Sequence, residues 1–181
     1  MKKLTVALLA GGISSEREVS LQSGDQVYEA LDKDKYQIRR YDPKTDLGRL
    51  VKDASGIDVA LIILHGPYGE DGTVQGLLDL LGIPYQGSGV LGSALAMNKA
   101  VTKKLYELAG LPVPSYIIYD RSDNVNVDAC VKQLGLPLVV KPVSGGSSVG
   151  MSIVRSATDL QDALDKAIVY DNAVMAEAFI A

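Results

Sequence analysis

The chain of 181 residues has no tryptophan, a single phenylalanine (Phe179), a single cysteine (Cys130) and a single histidine (His65). One cysteine excludes an intrachain disulfide and fits a reducing compartment. With so little Phe and Trp, aromatic packing falls to nine tyrosines, and the core must be built from Leu, Val, Ile and Ala. A basic excess is also missing: 18 Lys and Arg against 22 Asp and Glu leave a net charge of −4. That excludes a nucleic-acid platform, which needs many lysines and arginines to neutralise phosphates. A small anion is not excluded, because a few local lysines and backbone N–H groups suffice to hold one. No run approaches the roughly 20 apolar residues of a membrane span. Met1-Lys2-Lys3 and the apolar run 4–10 look like the opening of a signal peptide, but the run is short. It is followed by Gly11, Gly12 and the charged Glu16-Arg17-Glu18, with no clean cleavage site. A buried first strand is the reading adopted.

What is present is an ordinary globular balance, 47% apolar and 22% charged. Three apolar runs, 4–10, 37–41 and 59–64, lack alternation, as strands buried on both faces do. Between them Val19, Leu21, Val27, Ala30 and Leu31, then Leu47, Leu50 and Val51, keep helical spacing. Val74, Leu77, Leu78 and Leu81 do the same until Gly82, and Pro84-Tyr85 reads as a short fourth strand. This order predicts an N-terminal doubly wound parallel sheet over residues 1–97. A second unit, residues 98–181, begins with a helix over 98–109, stopped by Gly110, Pro112 and Pro114. Strands are expected at 116–119, 138–141, 150–154 and 173–180, and helices at 125–134 and 160–169, the latter capped by Thr158. The Gly/Ser connections make this an α+β unit. Where its last apolar strand, 173–180, normally continues into more protein, its exposed surroundings are an aggregation liability. The fold class is therefore α/β, a parallel sheet followed by an α+β domain.

In open parallel sheets, ligands gather beyond the carboxyl ends of the strands. Two loops fall there. Gly11-Gly12-Ile13-Ser14-Ser15-Glu16 follows the first strand; its glycines allow a tight turn, and its serines and Glu16 exceed what a helix start requires. His65-Gly66-Pro67-Tyr68-Gly69-Glu70-Asp71-Gly72 follows the third. His65 is either structural or functional by its position, while Glu70 and Asp71 are read as starting the next helix and not as metal ligands. Gly87-Ser88-Gly89-Val90-Leu91-Gly92 matches G-x-G-x-x-G but sits after a fourth strand, so it is read as a helix-entry turn and not as a dinucleotide site. The Walker pattern is absent. Lys141-Pro142-Val143-Ser144-Gly145-Gly146-Ser147-Ser148-Val149-Gly150 is the strongest phosphate candidate. Such a loop turns several N–H groups and hydroxyls toward one anion beside a lysine at a strand end; the bland alternative is a flexible hairpin with a snorkelling lysine. Lys99 opens the second unit's first helix. Glu177, inside an apolar strand, either faces solvent or meets a ligand.

Four segments taken together, 11–23 (GGISSEREVSLQS), 65–93 (HGPYGEDGTVQGLLDLLGIPYQGSGVLGS), 94–103 (ALAMNKAVTK) and 140–150 (VKPVSGGSSVG), resemble the D-alanine–D-alanine ligases of the ATP-grasp superfamily. Each segment is modest alone; all four in family order are specific. The resemblance implies a pre-ATP-grasp N-terminal domain and an ATP-grasp central domain. It implies that ATP phosphorylates the carboxylate of one D-alanine and that the amine of a second attacks the acyl phosphate, giving a dipeptide for peptidoglycan in a bacterial cytoplasm. It further implies ATP phosphates on Lys99 and Lys141 under the Ser147-Ser148 loop, and ribose and adenine near Glu177 and Ile180. Glu16, networked with Ser147, would meet the first substrate's ammonium group, and His65 its carboxylate. Gly92 stands where the family commonly has Ala.

The resemblance also implies what lies past residue 181: a third domain holding the ligands of Mg²⁺, a transition-state Arg and the loop selecting the second substrate. On that ground the chain is expected to hold half of a cleft, to contain no metal ligands of its own and to be weakly active alone. Its partners are D-alanine and ATP, with no nucleic acid and no membrane, and the sequence admits a homodimer. Rival expectations are a D-alanine–D-lactate or other ATP-grasp ligase, and a non-catalytic nucleotide- or anion-binding module.

Overall fold

The computed structural model describes residues 2–180; Met1 and Ala181, the outer ends of the two expected units, lie outside them. The backbone groups into two compact units, Met1–Ala94 and Leu95–Ala181.

The first unit is built on strand β1 (Leu4–Leu9). It pairs in parallel with β2 (Tyr36–Tyr41) on one side and β3 (Val59–Ile62) on the other, so the sheet order is β2-β1-β3. A central strand is buried on both faces, which is why its sequence is apolar without alternation: Val6, Ala7, Leu8 and Leu9 are at most 2% exposed. Ala7 and Leu9 join a core with Leu50 of α2 (Leu47–Asp53) and Val74 and Leu78 of α3 (Thr73–Leu80). Period-2 alternation puts Val6, Leu8 and Ala10 on the opposite face. There α1 (Arg17–Ala30) comes so close that a Cβ on Gly24 would lie 2.5 Å from that of Ala10.

The expected fourth strand shrinks to one parallel bridge between Ala60 and Tyr85. Pro84 has no N–H to give a ladder, and Gly82 and Gly87, both at positive φ, turn the chain on either side. The side chain of Gln86 completes the edge instead: it accepts from the Ile62 N–H at 3.0 Å and donates to the Ile62 carbonyl at 2.8 Å. One helix, α4 (Val90–Met97), has no counterpart among the expected elements. It is separated from α5 (Lys99–Leu108) only by Asn98, whose extended backbone breaks the helix and whose side chain accepts from the Val101 N–H at 3.0 Å.

The second unit is a four-stranded antiparallel sheet in the order β4-β7-β5-β6. Its strands are β4 (Tyr116–Asp120), β5 (Leu138–Pro142), β6 (Ser152–Val154) and β7 (Ala173–Ala178). Helices α6 (Val127–Leu134) and α7 (Leu160–Ile168) supply Cys130, Leu134, Leu160 and Leu164 to a core with Leu138, Val140 and Val174. The last apolar strand is thus interior, with β4 and β5 hydrogen-bonded along its two edges. The cap before α7 also differs. Ser156, not Thr158, is the capping side chain; it accepts from the Thr158 N–H at the start of a short 3₁₀ turn that leads into the helix.

Candidate functional site

In the first unit the loops after β1 and β3 are joined by hydrogen bonds. Gly11 and Gly12 have φ of +96° and +78°, so the chain turns sharply at the strand end. A Cβ on Gly11 would stand 2.8 Å from the Asp42 carboxylate. That carboxylate accepts from the Gly12 N–H at 2.9 Å, from the Lys44 N–H at 2.9 Å, and from both arms of the Arg17 guanidinium at 2.6 and 3.0 Å. Arg17 donates to the Gly12 carbonyl as well, at 2.7 Å. Burial pushes the Asp42 carboxyl up, but the guanidinium and the two amides outweigh it and bring the pKa down to about 2. Ser20, fully buried, accepts from the Gly11 N–H at 2.8 Å and donates to the Ile63 carbonyl at 2.5 Å.

Ser14 then ties the two loops together: its hydroxyl donates to the His65 carbonyl at 2.8 Å and accepts from the Glu16 N–H at 3.2 Å. The Glu16 carboxylate lies against Gly66, where a Cβ would meet Oε2 at 2.7 Å. Glu70 and Asp71 brace the second loop by accepting from the Gly66 N–H and from the Tyr68 and Thr73 N–H groups, the last at the start of α3. These loops line a mostly apolar cavity of about 160 Å³, with Gly12, Ser14, His65 and Tyr68 on its wall. His65 Nε2 is buried with no hydrogen-bond partner. A polar atom left so is a place where a bound molecule's polar group gains most.

In the second unit a separate cavity of about 220 Å³ is walled by Lys99, Lys141 and the loop Ser144 to Ser148. Lys99 is the first residue of α5, and its ammonium donates to the Gly145 and Val143 carbonyls at 2.7 and 3.3 Å. Burial first, and then the positive charge of Lys141, lower the Lys99 pKa against the opposing pull of Asp171; two cations on one wall that carries no carboxylate favour an anion. Ser147 and Ser148 both take left-handed backbone conformations, φ +49° and +59°, unusual for residues with a Cβ. Strain of this kind collects at ligand-binding loops. Asp171 holds the loop's first turn by accepting from the Ser144 N–H at 2.6 Å.

Lys141 lies on the same face of the sheet as Glu177, because Val139 pairs with Glu177 and Lys141 with Met175. The Glu177 carboxylate is ion-paired through one oxygen to Lys141 and through the other to Lys103 of α5. Burial raises the Glu177 pKa, yet the two ammonium groups prevail and lower it. Ile180 lies beyond the end of β7 and is exposed.

Lys141, Lys99, Ser147 and Ser148 therefore meet at one cavity. Glu16 and His65 lie in joined loops of the other unit. Three groups that hold these in place were missed. By its letter Lys103 is one more lysine on a helix, and Arg17 part of the charged run Glu16-Arg17-Glu18. Asp42 did carry a signal, standing at the carboxyl end of the second parallel strand. Among the described residues no group of three or more His, Cys, Asp or Glu is placed to hold a metal ion.

A parallel three-stranded unit followed by an antiparallel unit with a lysine-flanked Gly/Ser loop is the architecture of the ATP-grasp class. Residues 5–46 and 42–88 match the family model for the D-ala D-ala ligase N-terminus, and residues 105–181 that for the D-ala D-ala ligase C-terminus. A D-alanine–D-alanine ligase of Syntrophobacter fumaroxidans is 58% identical over 179 residues, 99% of this chain and 58% of that protein. That of Desulfotalea psychrophila is 52% identical, over 99% of this chain and 56% of its own. Among solved structures, the Bacillus anthracis D-alanine–D-alanine ligase complexed with ATP superposes with a TM-score of 0.86 at 39% identity, covering 98% of this chain and 59% of that one. A D-Ala:D-Ser ligase of Enterococcus faecalis gives 0.78 at 30% identity, covering 99% and 64%. The chain belongs to the D-alanine–D-alanine ligase family, and it spans less than two thirds of the length of these relatives.

Proposed function

We propose that this chain carries the nucleotide-binding and first-substrate-binding parts of an ATP-dependent D-alanine–D-alanine ligase. One observation carries the reading: Lys99 and Lys141 share a cavity with the Ser147-Ser148 loop, and no carboxylate stands on that cavity's wall. A polyphosphate fits such a wall, since the lysines supply charge and the loop supplies amides and hydroxyls. ATP would supply the activated phosphoryl group. Lys99 and Lys141 would bind its phosphates, and Ser147 and Ser148 would cover them. Glu177 and Ile180 would border the base and sugar. Glu16 would hold the ammonium group of the first D-alanine, and His65 would stand by its carboxylate with Nε2 available to it. The described residues do not fit Mg²⁺, since no three His, Cys, Asp or Glu side chains among them gather to hold a metal ion.

The reading has the protein act in the cytoplasm on small substrates, without nucleic-acid or membrane partners, and admits a homodimer. No helix among the described residues is long and apolar enough to cross a membrane. The resemblance to a D-Ala:D-Ser ligase bears on the second substrate, whose choice is open among D-alanine, D-lactate and D-serine. Titrating the ¹⁵N-labelled chain with ATP tests the core of the reading. Amides of 141–150 should shift, and Lys141→Ala should weaken binding about tenfold, the order expected for a charge-assisted phosphate contact. Absence of any shift in that loop at millimolar ATP would reject it.

A further inference from the structure

Lys103 has no place in the site as the sequence draws it, yet it is the most enclosed lysine that the structure ties to that site. It is 8% exposed, as is Glu177. A lysine buried that far is uncommon unless its charge is matched. Its ammonium ion-pairs with Glu177, donates to the Pro114 carbonyl at 3.2 Å and sits 4.8 Å from the centre of the Tyr116 ring. It is not on the wall of the lysine-lined cavity, whereas Lys141, on the other oxygen of the same carboxylate, is.

The charges decide what this arrangement does. Glu177 and Lys141 alone would be a neutral pair, and an anion arriving at Lys141 would meet the carboxylate's repulsion together with the lysine's attraction. With Lys103 on the second oxygen, the trio carries a net single positive charge. The buried end is compensated, so the surplus sits at the more open end: the Lys141 side chain is 22% exposed against 10% for Lys103. From this we infer that Lys103 is a positioning residue for phosphate binding. It neutralises Glu177 from behind, so that Glu177 orients Lys141 without cancelling its charge toward a polyphosphate. The inference rests on the anion-binding reading of the Ser147 loop and adds the device that keeps its lysine electrostatically available.

The test uses the 181-residue chain and inorganic tripolyphosphate, which isolates the phosphate interaction from the adenosine. Dissociation constants are read from amide shifts at low ionic strength, and circular dichroism checks the fold of each variant. Lys103→Met should weaken tripolyphosphate binding by about tenfold, the order of one unit charge acting over about 7 Å at an effective dielectric constant of about 40. The double variant Lys103→Met with Glu177→Gln removes the carboxylate along with its counter-ion. It should return to within about threefold of the unsubstituted chain, a result that a merely structural role for Lys103 does not give. If Lys103→Met does not fold, Glu177→Gln alone decides: it leaves both lysines without their shared carboxylate and should bind tripolyphosphate more tightly than the double variant, whereas equal binding would show that the Lys103 charge does not reach the site. A double variant as weak as the single one, or a folded Lys103→Met that binds normally, overturns the inference while the anion reading stands. If the unsubstituted chain binds no tripolyphosphate, the anion reading falls and this inference falls with it.

Discussion

Replacing Asp42 with Asn tests whether the Arg17 clamp holds the loop that carries Ser14 and Glu16. The carboxylate pKa falls from 3.8 to about 2 in the folded chain. At about 1.36 kcal/mol per pKa unit, that shift corresponds to about 2.4 kcal/mol of stability. The pair is mostly enclosed, with side chains 26% and 18% exposed, so solvent screening trims the figure only to about 2 kcal/mol. Because the folded pKa is depressed, this contribution is full above the unfolded value, about half lost by pH 3, and gone once pH falls through about 2. Asp42→Asn should therefore lower the urea unfolding free energy at pH 7 by about 2 kcal/mol, and the gap between the two chains should halve at pH 3. Amide shifts at Gly12, Ser14 and Glu16 should move at pH 7, where the fold is intact. A gap of the same size at pH 7 and pH 3 would refute the reasoning, since the cost would then be independent of the Asp42 charge.

Gly66→Ala should be worse than Gly82→Ala. Both positions have nearly equal left-handed φ, +68° and +66°, but only at Gly66 does a Cβ meet a neighbour, the Glu16 carboxylate at 2.7 Å. Thermal melts should show about 1 kcal/mol lost at Gly82 and about 1.5 kcal/mol at Gly66, where the end of the Glu16 side chain must swing aside, and equal losses would contradict the contact. In the phosphate loop, Ser148→Gly relieves a left-handed conformation that Ser148→Ala retains. The glycine variant should be the more stable of the two by about 1 kcal/mol, although both lose the hydroxyl and bind ATP more weakly. An alanine variant equal to or above the glycine variant in Tm would argue against strain at this position.

Much of this protein could be read along the chain, because the forces responsible are local or repetitive. The run from Leu4 to Leu9 is apolar at successive positions because it lies at the centre of a parallel sheet, and that burial is visible in the sequence as missing alternation. Helical spacing gave α1, α2, α3, α5, α6 and α7 to within a few residues. Turns needing positive φ announced themselves as glycines at 11, 12 and 66. Helix α4 escaped because a single residue, Asn98, divides it from α5, and the Gly-rich segment before it masks its start.

Side-chain type and spacing alone determined the alternation of strands and helices and the two chemical loops at the strand ends. They also determined the gathering of glycine and serine beside Lys141. Which charges are buried, and against what, was decided only by the tertiary structure. Lys103 and the neighbouring Lys104 are indistinguishable as letters; one is enclosed and paired with Glu177, and the other is exposed. Asp42 falls below the usual carboxylate range only where Arg17 and two loop amides converge on it. The physical reason is that the cost of burying a charge depends on partners brought together across strand and helix boundaries, and no periodicity along the chain records them.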